Sequence, residues 1–117
     1  MPARLPVEVE SLPGCTILRP AGEIDCHTAP EFRSRLLAQL EGGTASLLVD
    51  LSGVSFIDSS GLRVLVECHK LAHQSAGRVR LFAPSAEVGE ILRLTRLDSV
   101  LELHPSRDAA LAQEARP

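Results

Sequence analysis

With 117 residues, 44% hydrophobic content and a net charge of −3, the chain is long enough for one compact domain with a sizeable core and too short for two. No apolar stretch approaches the roughly 18 residues of a membrane span, and no basic start leads into an apolar signal segment, so the expectation is a cytoplasmic protein without membrane insertion. With neither Trp nor Tyr, three Phe and no basic cluster, it lacks the stacking platforms and the positive patch of a direct nucleic-acid binder.

The first elements read as strands. Val7–Leu12 alternates apolar and polar residues, Pro13-Gly14 supplies a turn, and Cys15–Arg19 returns, which is an opening antiparallel hairpin. Pro20-Ala21-Gly22 ends or bends the second strand, which continues into Glu23–Asp25. Thr28 is placed to cap a helix with Pro30 in its first turn and Glu31 complementing the dipole. Phe32, Leu36, Leu37 and Leu40 form its buried face, and Gly42-Gly43 stop it.

Leu47–Leu51 is apolar on both sides apart from Asp50, the pattern of a central strand covered on both faces. Ser52–Ile57 reads as a loop that leads into Asp58-Ser59-Ser60-Gly61, and helical periodicity then runs to Gly77. Gly61, Val64, Leu65, Cys68, Leu71 and Ala72 fall on one helical face and are expected to be buried. Arg63, Glu67, Lys70 and Gln74 lie opposite, with Arg63–Glu67 and Glu67–Lys70 at the spacings where helical charges meet. A third strip, Ser59, Leu62 and Val66 continued by His69 and His73, fits neither core nor solvent and marks a candidate contact surface. Asp58 or Ser59 is placed to cap this helix.

Downstream, Val79–Phe82 reads as a short strand. Pro84-Ser85 opens a helix carrying Val88, Ile91 and Leu92, with Leu94 a further candidate. Thr95–Ser99 reads as a loop, Val100–Leu103 as the last strand, and Pro105-Ser106 opens an Ala-rich helix to about Ala115. The order β-β-α-β-α-β-α-β-α predicts an α/β fold with a mixed central sheet, an antiparallel opening hairpin and about four helices. It forms a single domain over 1–117, with its core at about 7–110.

Catalytic constellations are poorly represented. Asp58-Ser59-Ser60-Gly61 lacks the Gly-x-Ser-x-Gly elbow of a serine hydrolase, and a triad would also need an activating histidine whose position the sequence does not give, His27, His69, His73 and His104 being an ordinary number for such a domain. His69 and His73 stand at i, i+4 without the Glu of the zinc-protease helix, and Cys15, Cys26 and Cys68 are odd in number without a CxxC pair, so neither a metal site nor a disulfide framework is expected. Asp50 has no acidic pair or strand lysine to make it a phosphoacceptor and is expected to bond loop N–H groups before Ser52-Gly53. No Gly-rich phosphate loop is present, and no nucleotide or other cofactor is expected.

Leu48–Leu62, with Asp58-Ser59-Ser60-Gly61-Leu62 at its end, resembles the signature of STAS domains, specifically the bacterial anti-sigma factor antagonists. Gly22-Glu23-Ile24-Asp25 followed by His27-Thr28-Ala29 is similar to the second block of that family, with Cys26 departing from it, and the likeness runs from about Val7 to Ala110. The resemblance implies a STAS-like fold and a non-enzymatic switch. Its unphosphorylated form binds an anti-sigma factor with serine kinase activity and releases a sigma factor; phosphorylation on Ser59, or alternatively Ser60, abolishes binding; a serine phosphatase resets it. The implied partner surface comprises Glu23, Asp25, His27 and Thr28 with Asp58, Ser59, Ser60, Gly61, Leu62, Arg63 and Val66, on a monomer or weak dimer. A second reading keeps the fold and makes the chain a scaffold subunit of a stressosome-like or membrane lipid-transport complex, with Ser59 only a helix cap.

Overall fold

The computed structural model describes residues 4–112. The opening hairpin is β1 (Val7–Leu12) and β2 (Cys15–Pro20), antiparallel in the register Val7↔Pro20 to Leu12↔Cys15. Gly14 takes the turn at φ +85°, a backbone region that costs glycine little. β2 then pairs in parallel with β4 (Ser46–Asp50), β4 with β6 (Arg78–Phe82), and β6 with β7 (Glu102–His104), giving the order β1-β2-β4-β6-β7.

Side-chain alternation along these strands divides the core. Leu18, Leu47, Val49, Val79 and Leu81 point to the face covered by α1 (Ala29–Glu41) and α2 (Ser59–Gln74), where they meet Phe32, Leu36, Leu65, Cys68 and Ala72. Cys15, Ile17, Leu48 and Phe82 point the other way and are covered by Ala110 of the short α4 (Arg107–Ala112). The central run is therefore buried on both faces, as its composition demands.

A second sheet was not legible as such. β3 (Gly22–Ile24) does not continue β2; it leaves the main sheet and pairs in parallel with β5 (Val54–Ile57), in the segment expected to be a loop. The step is fixed by Gly22 N–H donating to Gly53 O (2.9 Å) and Val54 N–H donating to Leu51 O (3.0 Å). Ser85, whose hydroxyl caps α3 (Ala86–Leu94) through Val88 N–H, also donates to Val54 O at 3.2 Å and so holds β5 against α3.

Other boundaries shift for local reasons. The last strand is Glu102–His104 and not Val100–Leu103, because Leu97–Ser99 forms a 3-10 turn within the expected loop and leaves Val100 half-exposed. α4 is described to Ala112, so its expected extension to Ala115 lies outside the described residues. Leu71 and Leu94, assigned to buried helical faces, are exposed, and Leu37 and Leu40 are only partly buried. Glu67 pairs with neither Arg63 nor Lys70. Arg33 of α1 reaches across with two bonds of 2.8 and 2.7 Å, and this pairing holds the Glu67 carboxyl below its ordinary range. The three cysteines are free, with Cys15 and Cys68 buried and Cys26 exposed. Burial pushes the Cys68 thiol up to about 12.

Candidate partner-binding site

Asp58 ends β5 in extended backbone and opens α2. Its Oδ1 accepts from Ser60 N–H (2.8 Å) and Gly61 N–H (3.4 Å), so of the two candidate caps it is Asp58 that satisfies the first turn. Ser59, the first helical residue, is exposed, and its hydroxyl makes no hydrogen bond among the described residues. The premise that Ser59 is merely a cap is therefore corrected.

The second motif is locked by its own side chains. Asp25 Oδ1 accepts from His27 N–H (2.9 Å) and Thr28 N–H (3.1 Å), while Thr28 Oγ1 accepts from Asp25 N–H (2.9 Å) and donates to Glu23 O (2.8 Å). Thr28 occupies the cap position of α1, but its hydroxyl is turned back into this loop and makes no capping bond to the helix. The backbone donors of His27 and then Thr28 lower the Asp25 carboxyl below its ordinary value.

Backbone pairing joins the two motifs. Ile24 lies opposite Ile57 in the β3–β5 register, and Asp58 N–H donates to Ile24 O at 3.0 Å. Gly61 sits over this junction: a Cβ there would lie 2.6 Å from Ile57 Cγ1 and 2.7 Å from Ile24 Cγ2, both on fully buried, branched side chains. Glycine lets the start of α2 press onto the small sheet, and Ser59 follows Asp58, the residue bonded to Ile24.

The expected site residues thus divide by depth. Glu23, His27, Ser59 and Arg63 are exposed; Asp25, Thr28, Asp58, Ser60 and Val66 are half-buried. Gly61 is buried and Leu62 is only 9% exposed within the core cluster, so these two support the surface from below; Leu62 is not the open contact its place on the third strip implied. His69 and His73 continue the strip, their rings 5.5 Å apart and tilted. Asp50 accepts from Ser52 N–H at 2.9 Å, the turn role expected of it. One residue of the neighbourhood was missed. Phe56 lies across from Glu23 in the β3–β5 register and is 42% exposed, in a segment whose irregular apolar pattern gave no strand period. Among the described residues no group of three or more His, Cys, Asp or Glu could hold a metal ion, and no helix is long and apolar enough to cross a membrane.

The STAS domain family model matches residues 6–110, spanning both motifs and all of the strands described above. The chain belongs to the STAS domain family. Among its relatives, this STAS domain is 36% identical over 84 residues to the anti-sigma-B factor antagonist of Listeria monocytogenes, covering 71% of this chain and 73% of that one. Its structure is similar to that of a putative anti-sigma factor antagonist from Thermotoga maritima, with a TM-score of 0.88 and 27% identity over 94% of this chain and 95% of the other. An anti-sigma factor antagonist from Mycobacterium paratuberculosis superposes with a TM-score of 0.85 and 29% identity, covering 93% of this chain and 92% of that chain. These neighbours share the mixed sheet with its antiparallel opening and four helices.

Proposed function

We propose that this STAS domain is a cytoplasmic, non-enzymatic anti-sigma factor antagonist switched by phosphorylation of Ser59. The observation that carries the reading is the exposed Ser59 hydroxyl: Asp58 takes over the capping role and leaves that oxygen free, next to the surface formed by Glu23, His27 and Arg63. In the unphosphorylated state this surface binds an anti-sigma factor that is also an ATP-using serine kinase, and a sigma factor is released. The kinase accepts the Ser59 proton as Ser59 Oγ bonds to the γ-phosphorus of ATP; the β–γ bridging bond breaks and ADP departs. A separate serine phosphatase hydrolyses the phosphoserine and restores binding. The names of the relatives support the antagonist role, and the local chemistry supports the site.

The physical effect falls on the complex and not on the fold. A phosphate at the first position of a 16-residue helix adds about −1.5 to −2 charge near the positive end of the dipole, where the free chain tolerates it. A partner packed over the same spot meets an unmatched, desolvated dianion. The test is affinity purification of the chain from its native cells, with mass spectrometry of its partners and of the peptide containing Asp58–Gly61. A serine-kinase partner and phosphate on Ser59 are expected, with calorimetry giving intact binding for Ser59→Ala and weakened binding for Ser59→Asp. Unaltered affinity of the Ser59→Asp protein contradicts the charge mechanism.

A further inference from the structure

The chain contains three phenylalanines and no other aromatic ring apart from histidine, and two of the three, Phe32 and Phe82, are 1% exposed. Phe56 is 42% exposed. A strand pattern alone does not require this, because its neighbours Val54 and Ile57 bury themselves fully and Ser55 already faces solvent. The backbone that carries the ring is also held in place: β5 is paired with β3, accepts at Val54 O from Ser85 Oγ of α3, and leads into Asp58, whose N–H donates to Ile24 O. A solvent-facing aromatic ring on a fixed strand has few rotatable bonds to restrict on docking, and residues of this type carry a large share of binding energy at protein interfaces.

Its surroundings define what it meets. Glu23 stands opposite Phe56 on the adjoining strand, and residues opposed in this way project on the same side of the sheet. Asp25, whose carboxyl is held below its ordinary value by backbone donors, lies two residues after Glu23, just past the end of β3, and Ser59 lies three residues after Phe56 at the start of α2. We infer that Phe56 is the aromatic anchor of the partner interface, inserted into an apolar pocket of the kinase-type anti-sigma factor whose rim carries Arg or Lys against Glu23 and Asp25. This rests on the function proposed above and adds to it a contact that lies within the Leu48–Leu62 segment but outside the residues the resemblance assigns to the partner surface. It makes Phe56 a specificity residue: the anchor selects the partner, and the charge state of Ser59 decides whether the anchored surface can close.

The experiment is a calorimetric titration of the purified anti-sigma factor kinase into the wild-type chain and into Phe56→Ala, Phe56→Leu, Glu23→Lys and Ser59→Asp, each checked by circular dichroism and thermal melting. The expected result is a Kd raised at least about tenfold by Phe56→Ala and much less by Phe56→Leu, with melting curves close to wild type. Glu23→Lys should raise the Kd at low salt and flatten its dependence on salt. Should Phe56→Ala bind within about twofold of wild type while Ser59→Asp loses binding, the anchor is wrong and the switch stands. Should the wild-type chain fail to bind the kinase at all, the switch and the anchor fall together. If Phe56→Ala melts well below wild type, Phe56→Leu decides: a raised Kd with a wild-type melting curve upholds the anchor, and wild-type affinity overturns it.

Discussion

Asp58, Ser59 and Gly61 do three separable things within one turn of helix. Because Asp58 Oδ1 satisfies two first-turn amides, Asp58→Ala is expected to cost about 1 kcal/mol of stability, whereas Ser59→Ala should stay within about 0.5 kcal/mol in urea titrations. A larger loss for Ser59→Ala would mean that its hydroxyl carries structure. Gly61→Ala should destabilise by roughly 1–3 kcal/mol, since the added methyl meets the buried Ile24 and Ile57, and it should tilt the start of α2 away from the loop. Sequence chemistry alone left Asp58 and Ser59 as equal candidates, because both side chains cap well; only the backbone geometry distinguishes them. It was blind to Arg80. The alternation Arg78-Val79-Arg80-Leu81 suggests two outward arginines, yet Arg80 is fully buried, donating to Ala110 O (2.6 Å) and Ser46 Oγ (2.7 Å) beneath α4, and burial lowers its pKa. Nothing local announces that a helix thirty residues downstream will return to cover that position.

At the scale of elements, the amphipathic helices and the apolar central strand were readable from their patterns, the short last strand was read two residues early, and the small second sheet was not readable, β3 being taken as a continuation of β2 and β5 as a loop. β3 and β5 are too short to display a period, and they are held by pairing with each other, a long-range fact. The attachment of α4 has a similar origin and a measurable consequence. Arg107 bonds Glu10 of β1 at 3.0 and 2.7 Å, and Arg19 bonds the same carboxylate, which is pushed down to about 2, chiefly by Arg107 and then by Arg19. A carboxyl whose folded value is depressed contributes stability that is complete above its unfolded value and is lost as pH falls. Protection of the α4 amides from hydrogen exchange should accordingly weaken from about pH 4.5 towards 2, and Glu10→Gln should lower protection at neutral pH and remove that acid step. An unchanged acid profile in Glu10→Gln would place the titrating group elsewhere.

Over the whole molecule, two motifs separated in sequence by α1 are joined because β3 and β5 pair outside the main sheet. The family resemblance, carried by those motifs, named the residues of the implied surface; the reading of the residues left the cap open between Asp58 and Ser59, and the packing beneath Gly61 and the exposure of Phe56 came from the structure alone. The depth of each residue could not be foreseen. Leu62 shares a helical flank with Ser59, and only the packed structure shows that it faces inward. The account as a whole rests on Ser59 as a charge switch. Its most direct test is a calorimetric titration of the kinase-type anti-sigma factor with two preparations of the intact chain, unmodified and stoichiometrically phosphorylated on Ser59. A loss of affinity of at least about a hundredfold on phosphorylation, with unchanged thermal stability, is the predicted result. Equal affinity for the two preparations would contradict it.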